Sequence, residues 1–108
     1  MTDAKMEEII TELVVNGGGA RAKALEAVRA ARKNEMEKAE SLLKECNEVL
    51  IKAHNYQTAL IQGTLSGEED DTSISLLMVH GQDHLMDALV VKDMAEEMIE
   101  MYKLIYAK

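Results

Sequence analysis

His80, Asp83 and His84 stand on neighbouring turns of one short stretch, Val79-His80-Gly81-Gln82-Asp83-His84-Leu85-Met86. A helix advances about 100° per residue, so positions 80, 83 and 84 share one face. A neutral imidazole carries a lone pair and can attack an activated phosphorus atom, forming a phosphoramidate reactive enough to pass the group on. The same ring can act as a general base, or two rings at i, i+4 can ligate zinc. A fourth possibility is that both histidines are simply satisfied polar groups of a helical bundle.

The neighbours bear on these options. Asp83 cannot comfortably face a phosphoryl group, since both are negative. It must point away, bind a cation, or hold His80 by a hydrogen bond. In a homotrimer with this helix near the axis, three copies of Asp83 would converge, and their repulsion would call for a metal ion or protonation. A zinc protease motif is missing its glutamate, because Gly81 and Gln82 follow His80. A metal-dependent hydrolase lacks the acid and base set. His54, on an earlier helical segment, reads as structural unless the fold brings it toward His80.

The elements that carry these residues read as helices throughout. The 108 residues, enough for one domain spanning 1–108, include no proline and eight methionines. Met6, Ile9, Ile10, Leu13 and Val14 recur at helical spacing after a cap at Thr2 or Asp3. Asn16-Gly17-Gly18-Gly19 interrupts that pattern, and each glycine costs a helix about 1 kcal/mol relative to alanine. The run predicts a kink, a short break, or a place where another backbone comes close. It lacks the Gly-Lys-Ser/Thr ending of a phosphate loop. Helix resumes near Ala20 with Ala24, Leu25, Val28 and Ala31 inward, and Asn34 is suited to ending it in a left-handed conformation.

A second helix is expected from Glu35 to about Gln62, stopping at Gly63, with a polar acidic loop over 64–71. Its stripe includes Leu42, Leu43, Cys46, Val49, Leu50, Ala53, Tyr56, Gln57, Leu60 and Ile61. Cys46, the single cysteine, falls inside that stripe and reads as a small buried apolar residue. A third helix is expected from a Thr72 or Ser73 cap to about Ala107. Its apolar residues, Ile74, Leu77, Met78, Leu85, Leu89, Val91, Met94, Met98, Ile99, Tyr102 and Ile105 among them, cover more than one face. That excess predicts burial on two sides, against its own bundle and against another subunit.

Twenty acidic against twelve basic residues leave a formal charge of −8, which disfavours nucleic acid and anionic membranes as ligands. No apolar run approaches the roughly 20 residues of a membrane span, and the charged start lacks a secretory core, so the chain is expected in the cytoplasm.

Three segments in order resemble the lactose/cellobiose-type IIA component of the bacterial sugar phosphotransferase system. The stretch from Val79 to Met86 is similar to that family's Val-His-Ala-Gln-Asp-His-Leu-Met. Ala53-His54-Asn55-Tyr56-Gln57-Thr58 with Leu60-Ile61-Gln62-Gly63 is a second match, and Asn16-Gly17-Gly18-Gly19-Ala20-Arg21 a third. The resemblance implies an all-α, antiparallel three-helix bundle, kinked in its first helix at the glycine run and assembled as a homotrimer. It implies that His80 accepts a phosphoryl group through Nε2 from the phosphocarrier HPr and passes it to a cysteine of the cognate IIB component of a disaccharide transporter. Asp83 would bind a divalent metal at the trimer axis, Mg2+ in particular, with no organic cofactor. Gln82, His84, Gln57 and His54 would have supporting roles. Gly81 replaces the family's alanine, which is expected to loosen the helix by about 1 kcal/mol. Gly19 stands where a larger polar residue is common. The alternative to this reading is a structural or adaptor bundle with a His/Asp metal site and no phosphoryl transfer.

Overall fold

A computed structural model describes residues 3–65 and 75–108. Within them lie three helices, α1 (Asp3–Arg32), α2 (Met36–Leu65) and α3 (Leu76–Ala107). Helices of this length, about 1.5 Å per residue, give a rod with extents of 61 × 19 × 16 Å. The helix α1 is the hub. It packs extensively on both α2 and α3, whereas α2 and α3 touch each other far less.

Small residues on α1 make that central position possible. Ala20, Ala24, Ala27, Ala30 and Ala31 are all buried, so the neighbouring helices come close without long side chains between them. One cluster joins Ile9, Leu13, Ala20 and Ala24 of α1 to Cys46, Leu50, Ala53 and Leu60 of α2 and Leu85, Ala88 and Ala95 of α3. A second, toward the other end, gathers Ala27, Ala30 and Ala31 with Ala39, Leu43 and Ile99. Cys46 is fully buried, and that burial pushes its thiol pKa up.

The glycine run does not interrupt α1, which is helical from Asp3 to Arg32. Of the readings the run allowed, close backbone approach is the one found. A Cβ added at Gly17 would lie 2.9 Å from both the carbonyl carbon and the oxygen of His84 on α3. Gly18 and Gly19 have nothing within 4 Å of an added Cβ. Asn16 is buried beside them, and its amide nitrogen donates to the Glu12 carbonyl and carboxylate, each at 2.8 Å.

The end of α1 follows the sequence expectation. Asn34 has φ 62°, and the Glu35 N–H donates to the Ala30 carbonyl at 2.9 Å while the Asn34 N–H donates to Ala31 at 2.9 Å. That is a Schellman closure with asparagine in the left-handed position. The Tyr106 hydroxyl donates to the Arg32 carbonyl, tying the far end of α3 to the same cap.

Other boundaries differ from expectation. Gly63 does not stop α2, whose helical hydrogen bonding continues to Leu65. One glycine costs only about 1 kcal/mol, which a long packed helix absorbs. The cap of α3 is Ser75, whose Oγ accepts from the Met78 N–H at 3.1 Å. Thr72, Ser73 and Ile74, along with Thr2, lie outside the described residues, and Asp3 is already helical. Leu25 and Ile61, assigned to inward stripes, are 40% and 46% exposed. Each sits at the margin of its stripe, where rotation carries it past the helix contact.

The contrast within the glycine run is testable. Gly17→Ala forces atoms apart against rigid backbone and is expected to destabilise the protein by about 1–3 kcal/mol. Gly18→Ala meets open space and is expected to gain about 0.5–1 kcal/mol from helix propensity. Urea unfolding followed by circular dichroism reads both, and equal effects from the two would contradict the packing described.

Candidate functional site

The orientation of α3 decides where its chemistry points. Gly81, Leu85 and Ala88 face inward and are buried. A Cβ on Gly81 would meet Ile10 Cγ2 at 3.3 Å and the Ile10 carbonyl oxygen at 3.4 Å. The glycine thus gives up helix propensity where α1 fits closely against it. With 81 and 85 turned to α1, the helical rotation sends 80 and 83 outward.

His80 is exposed and His84 half-buried. Their Nε2 atoms are 3.2 Å apart, and the rings meet edge to face with centroids 4.5 Å apart. In such a contact one Nε2 carries a proton and the other offers its lone pair. When His84 donates, His80 keeps its own proton on Nδ1 and its Nε2 lone pair accepts the inter-ring hydrogen bond. Among the described residues, neither ring has any other hydrogen-bond partner.

A shallow depression beside the pair is lined by Leu76, Leu77, Val79, His80 and Asp83. Asp83 is exposed, and among the described residues no cation pairs with it. It lies in a mostly apolar outer row of α3, formed by Leu76, Val79, Met86, Val90, Met94, Met98, Met101 and Ile105. All eight are large hydrophobic side chains exposed by 40% or more. Met94, Met98 and Ile105 therefore belong to the second of the two apolar faces expected from the sequence, not to the bundle core. Among the described residues, no group of three or more His, Cys, Asp or Glu side chains could hold a metal ion within one chain.

Gln57 and Gln82 form the polar link between α2 and α3. The Gln57 Nε2 donates to Gln82 Oε1 at 2.7 Å and lies 3.9 Å from Met86 Sδ. Gln57 thereby grips α3 at two positions one turn apart, on either side of His84. The sequence marked both glutamines but not their pairing. The available signal was that Gln57 falls in the inward stripe of α2, where a long polar group needs a partner. His54 lies exposed on α2, and among the described residues no hydrogen bond or ring contact joins it to the imidazole pair.

Fold and site together define an all-helical bundle that presents an imidazole pair at its surface. The family model for the lactose/cellobiose specific IIA subunit of the PTS system matches residues 8–103, and the chain belongs to that family. The lichenan-specific phosphotransferase enzyme IIA component of Bacillus subtilis is 50% identical over 99 residues, covering 92% of this chain and 88% of that protein. The lactose-specific EIIA component of Staphylococcus epidermidis is 47% identical over 92 residues, covering 85% and 86%. The crystal structure of the cellobiose-specific enzyme IIA from Bacillus anthracis superposes with a TM-score of 0.90 at 42% identity, covering 100% of this chain and 95% of that one. A solution structure of the IIA(chitobiose)–HPr complex of Escherichia coli superposes at 0.78 with 29% identity, covering 93% and 95%.

The Gln57–Gln82 bond gives a direct test of how α3 is held. A double-mutant cycle with Gln57→Ala and Gln82→Ala is expected to show a coupling of about 0.5–1.5 kcal/mol in chemical denaturation. A coupling indistinguishable from zero would mean that the bond does not fix the two helices.

Proposed function

We propose that this protein is a phosphohistidine carrier in sugar uptake. His80 Nε2 takes the phosphoryl group from HPr and gives it to a cysteine of the cognate IIB component of a disaccharide transporter. The observation that carries this reading is an exposed His80 at the rim of an apolar depression, its Nε2 engaged, among the described residues, only by His84. Family membership and the similarity to an IIA in complex with HPr support it.

The steps balance without a further reagent. The His80 Nε2 lone pair attacks phosphorus, and the donor's bond to phosphorus breaks with its electron pair returning to the donor. The IIB thiolate then attacks, a P–S bond forms, and the P–N pair returns to Nε2. His84 holds His80 in the tautomer whose Nε2 is free of a proton. When the phosphoryl group displaces the inter-ring bond, the His84 N–H is left facing the arriving oxygens. The surrounding protein contributes positioning and electrostatics, and the partners supply most of the charge balance.

The apolar row of α3 fits a homotrimer interface. An exposed row of eight large hydrophobics is unusual for a lone monomer. Threefold packing along it would bring three copies of Asp83 together. A carboxylate without a cation inside an apolar contact is costly, so the donor set suits a hard divalent ion such as Mg2+, shared by three chains. Bound there, the ion supplies positive charge that offsets the three carboxylates. The chain 1–108 would act as one domain in the cytoplasm. Among the described residues, no helix is long and apolar enough to cross a membrane.

Incubation with phosphoenolpyruvate, the upstream enzyme that uses it to phosphorylate HPr, and HPr is expected to put acid-labile, base-stable phosphate on the wild type and none on His80→Ala. Label lost in His84→Ala but kept in His80→Ala would assign the wrong imidazole. Native mass spectrometry is expected to show three chains for the wild type and monomer for Val90→Glu, which places a charge in the apolar row. A wild type that is monomeric at micromolar concentration would overturn the assembly.

A further inference from the structure

The imidazole pair has a geometry that suits a second kind of ligand besides a phosphoryl group. Both Nε2 atoms converge, 3.2 Å apart, from positions i and i+4 of a regular helix. Zinc binds imidazole nitrogen at about 2.0–2.1 Å in tetrahedral sites, which sets neighbouring nitrogens about 3.3 Å apart. The observed separation is close to that bite. Among the described residues, the rings contact no hydrogen-bonding group but each other, so a metal displaces one hydrogen bond and nothing else.

We propose that His80 and His84 chelate a borderline divalent transition ion, zinc being the probe, and that this ion competes with phosphoryl transfer for the His80 Nε2 lone pair. The second half rests on the carrier reading above. Binding needs both rings to hold their protons on Nδ1. The ring that carried its proton on Nε2 changes tautomer, and no proton is released from a neutral pair. Small rotations about the side-chain torsions turn both lone pairs to the ion, which the exposure of His80 and partial exposure of His84 allow.

The surroundings favour a cation and fix its character. Asp83 and Asp87 lie exposed on neighbouring positions of α3, and the chain carries a formal charge of −8. Among the described residues, no third His, Cys, Asp or Glu joins the pair to form a three-ligand group. With the described residues supplying two ligands, water takes the remaining coordination positions and the ion exchanges readily. That is the character of a reversible inhibitor rather than of a structural metal. Magnesium, a hard ion that keeps its waters, does not compete for two imidazoles.

Zinc titration by calorimetry on the full chain, in excess magnesium to occupy carboxylate sites, tests the chelate. One zinc per chain is expected for the wild type and for His54→Gln, which removes the imidazole that does not touch the pair. For His84→Gln the affinity is expected to fall about tenfold or more as chelation is lost. Circular dichroism checks that each variant keeps its helices. Unchanged zinc affinity in His84→Gln, or affinity lost in His54→Gln, overturns the site. Labelling from isolated, already phosphorylated HPr then tests competition. Zinc is expected to slow labelling of the wild type, reversibly on chelator addition, while the His84→Gln rate keeps the same value with and without the ion. Equal slowing of both proteins overturns the competition. A wild type that takes no phosphate even in zinc-free buffer defeats the carrier reading, and the calorimetry still decides the chelate.

Discussion

The contact between the α1 backbone at Gly17 and the α3 backbone at His84 is the constraint on which the rest of the molecule depends. A methyl group at Gly17 would sit 2.9 Å from the His84 carbonyl, so glycine alone permits this spacing. Just under one turn earlier on α3, Gly81 makes a second close fit against Ile10. Two glycines on different helices thus set the distance and rotation of α3 against α1. Leu85, fully buried between them, fixes the same rotation by packing. Side chains at 80 and 83 are turned outward as a consequence, and 84 is left at the margin.

Polar contacts refine that arrangement without carrying it. Gln57 reaches across from α2 to Gln82, and Tyr106 closes the far end on the Arg32 carbonyl. The ion pairs linking helices, Lys23 with Glu45 at 2.9 Å and Lys103 with Glu40 at 2.6 Å, raise the pKa of both lysines chiefly through their hydrogen bonds. They are solvent-exposed, so screening leaves them little weight in stability. The bundle is held by small-residue packing around α1, and its chemistry is displayed on the helix that α1 orients.

Much of this was legible in the chain. The absence of proline and the 3.6-residue apolar rows gave three helices, and Asn34 ended α1 as its tolerance of positive φ implies. Two apolar faces on α3 were visible because Met94, Met98 and Ile105 exceed what one contact needs. Less was legible where propensity and packing oppose each other. Gly63 reads as a stop, yet α2 runs past it. Three consecutive glycines read alike, but only Gly17 meets another backbone, and nothing local distinguishes it from Gly18. The edge-to-face contact of His80 with His84 depends on side-chain torsions that spacing does not encode. The Gln57–Gln82 bond depends on the relative height of two helices, which is set by contacts with the third.

The central claim is that this packing presents one nitrogen, Nε2 of His80, for phosphoryl exchange. Nuclear magnetic resonance of protein labelled with 15N at histidine, after phosphorylation by HPr, tests it most directly. The account predicts a nitrogen–phosphorus coupling at Nε2 of His80 and at no other imidazole nitrogen. A coupling at Nδ1 of His80, or at either nitrogen of His84 or His54, would contradict it.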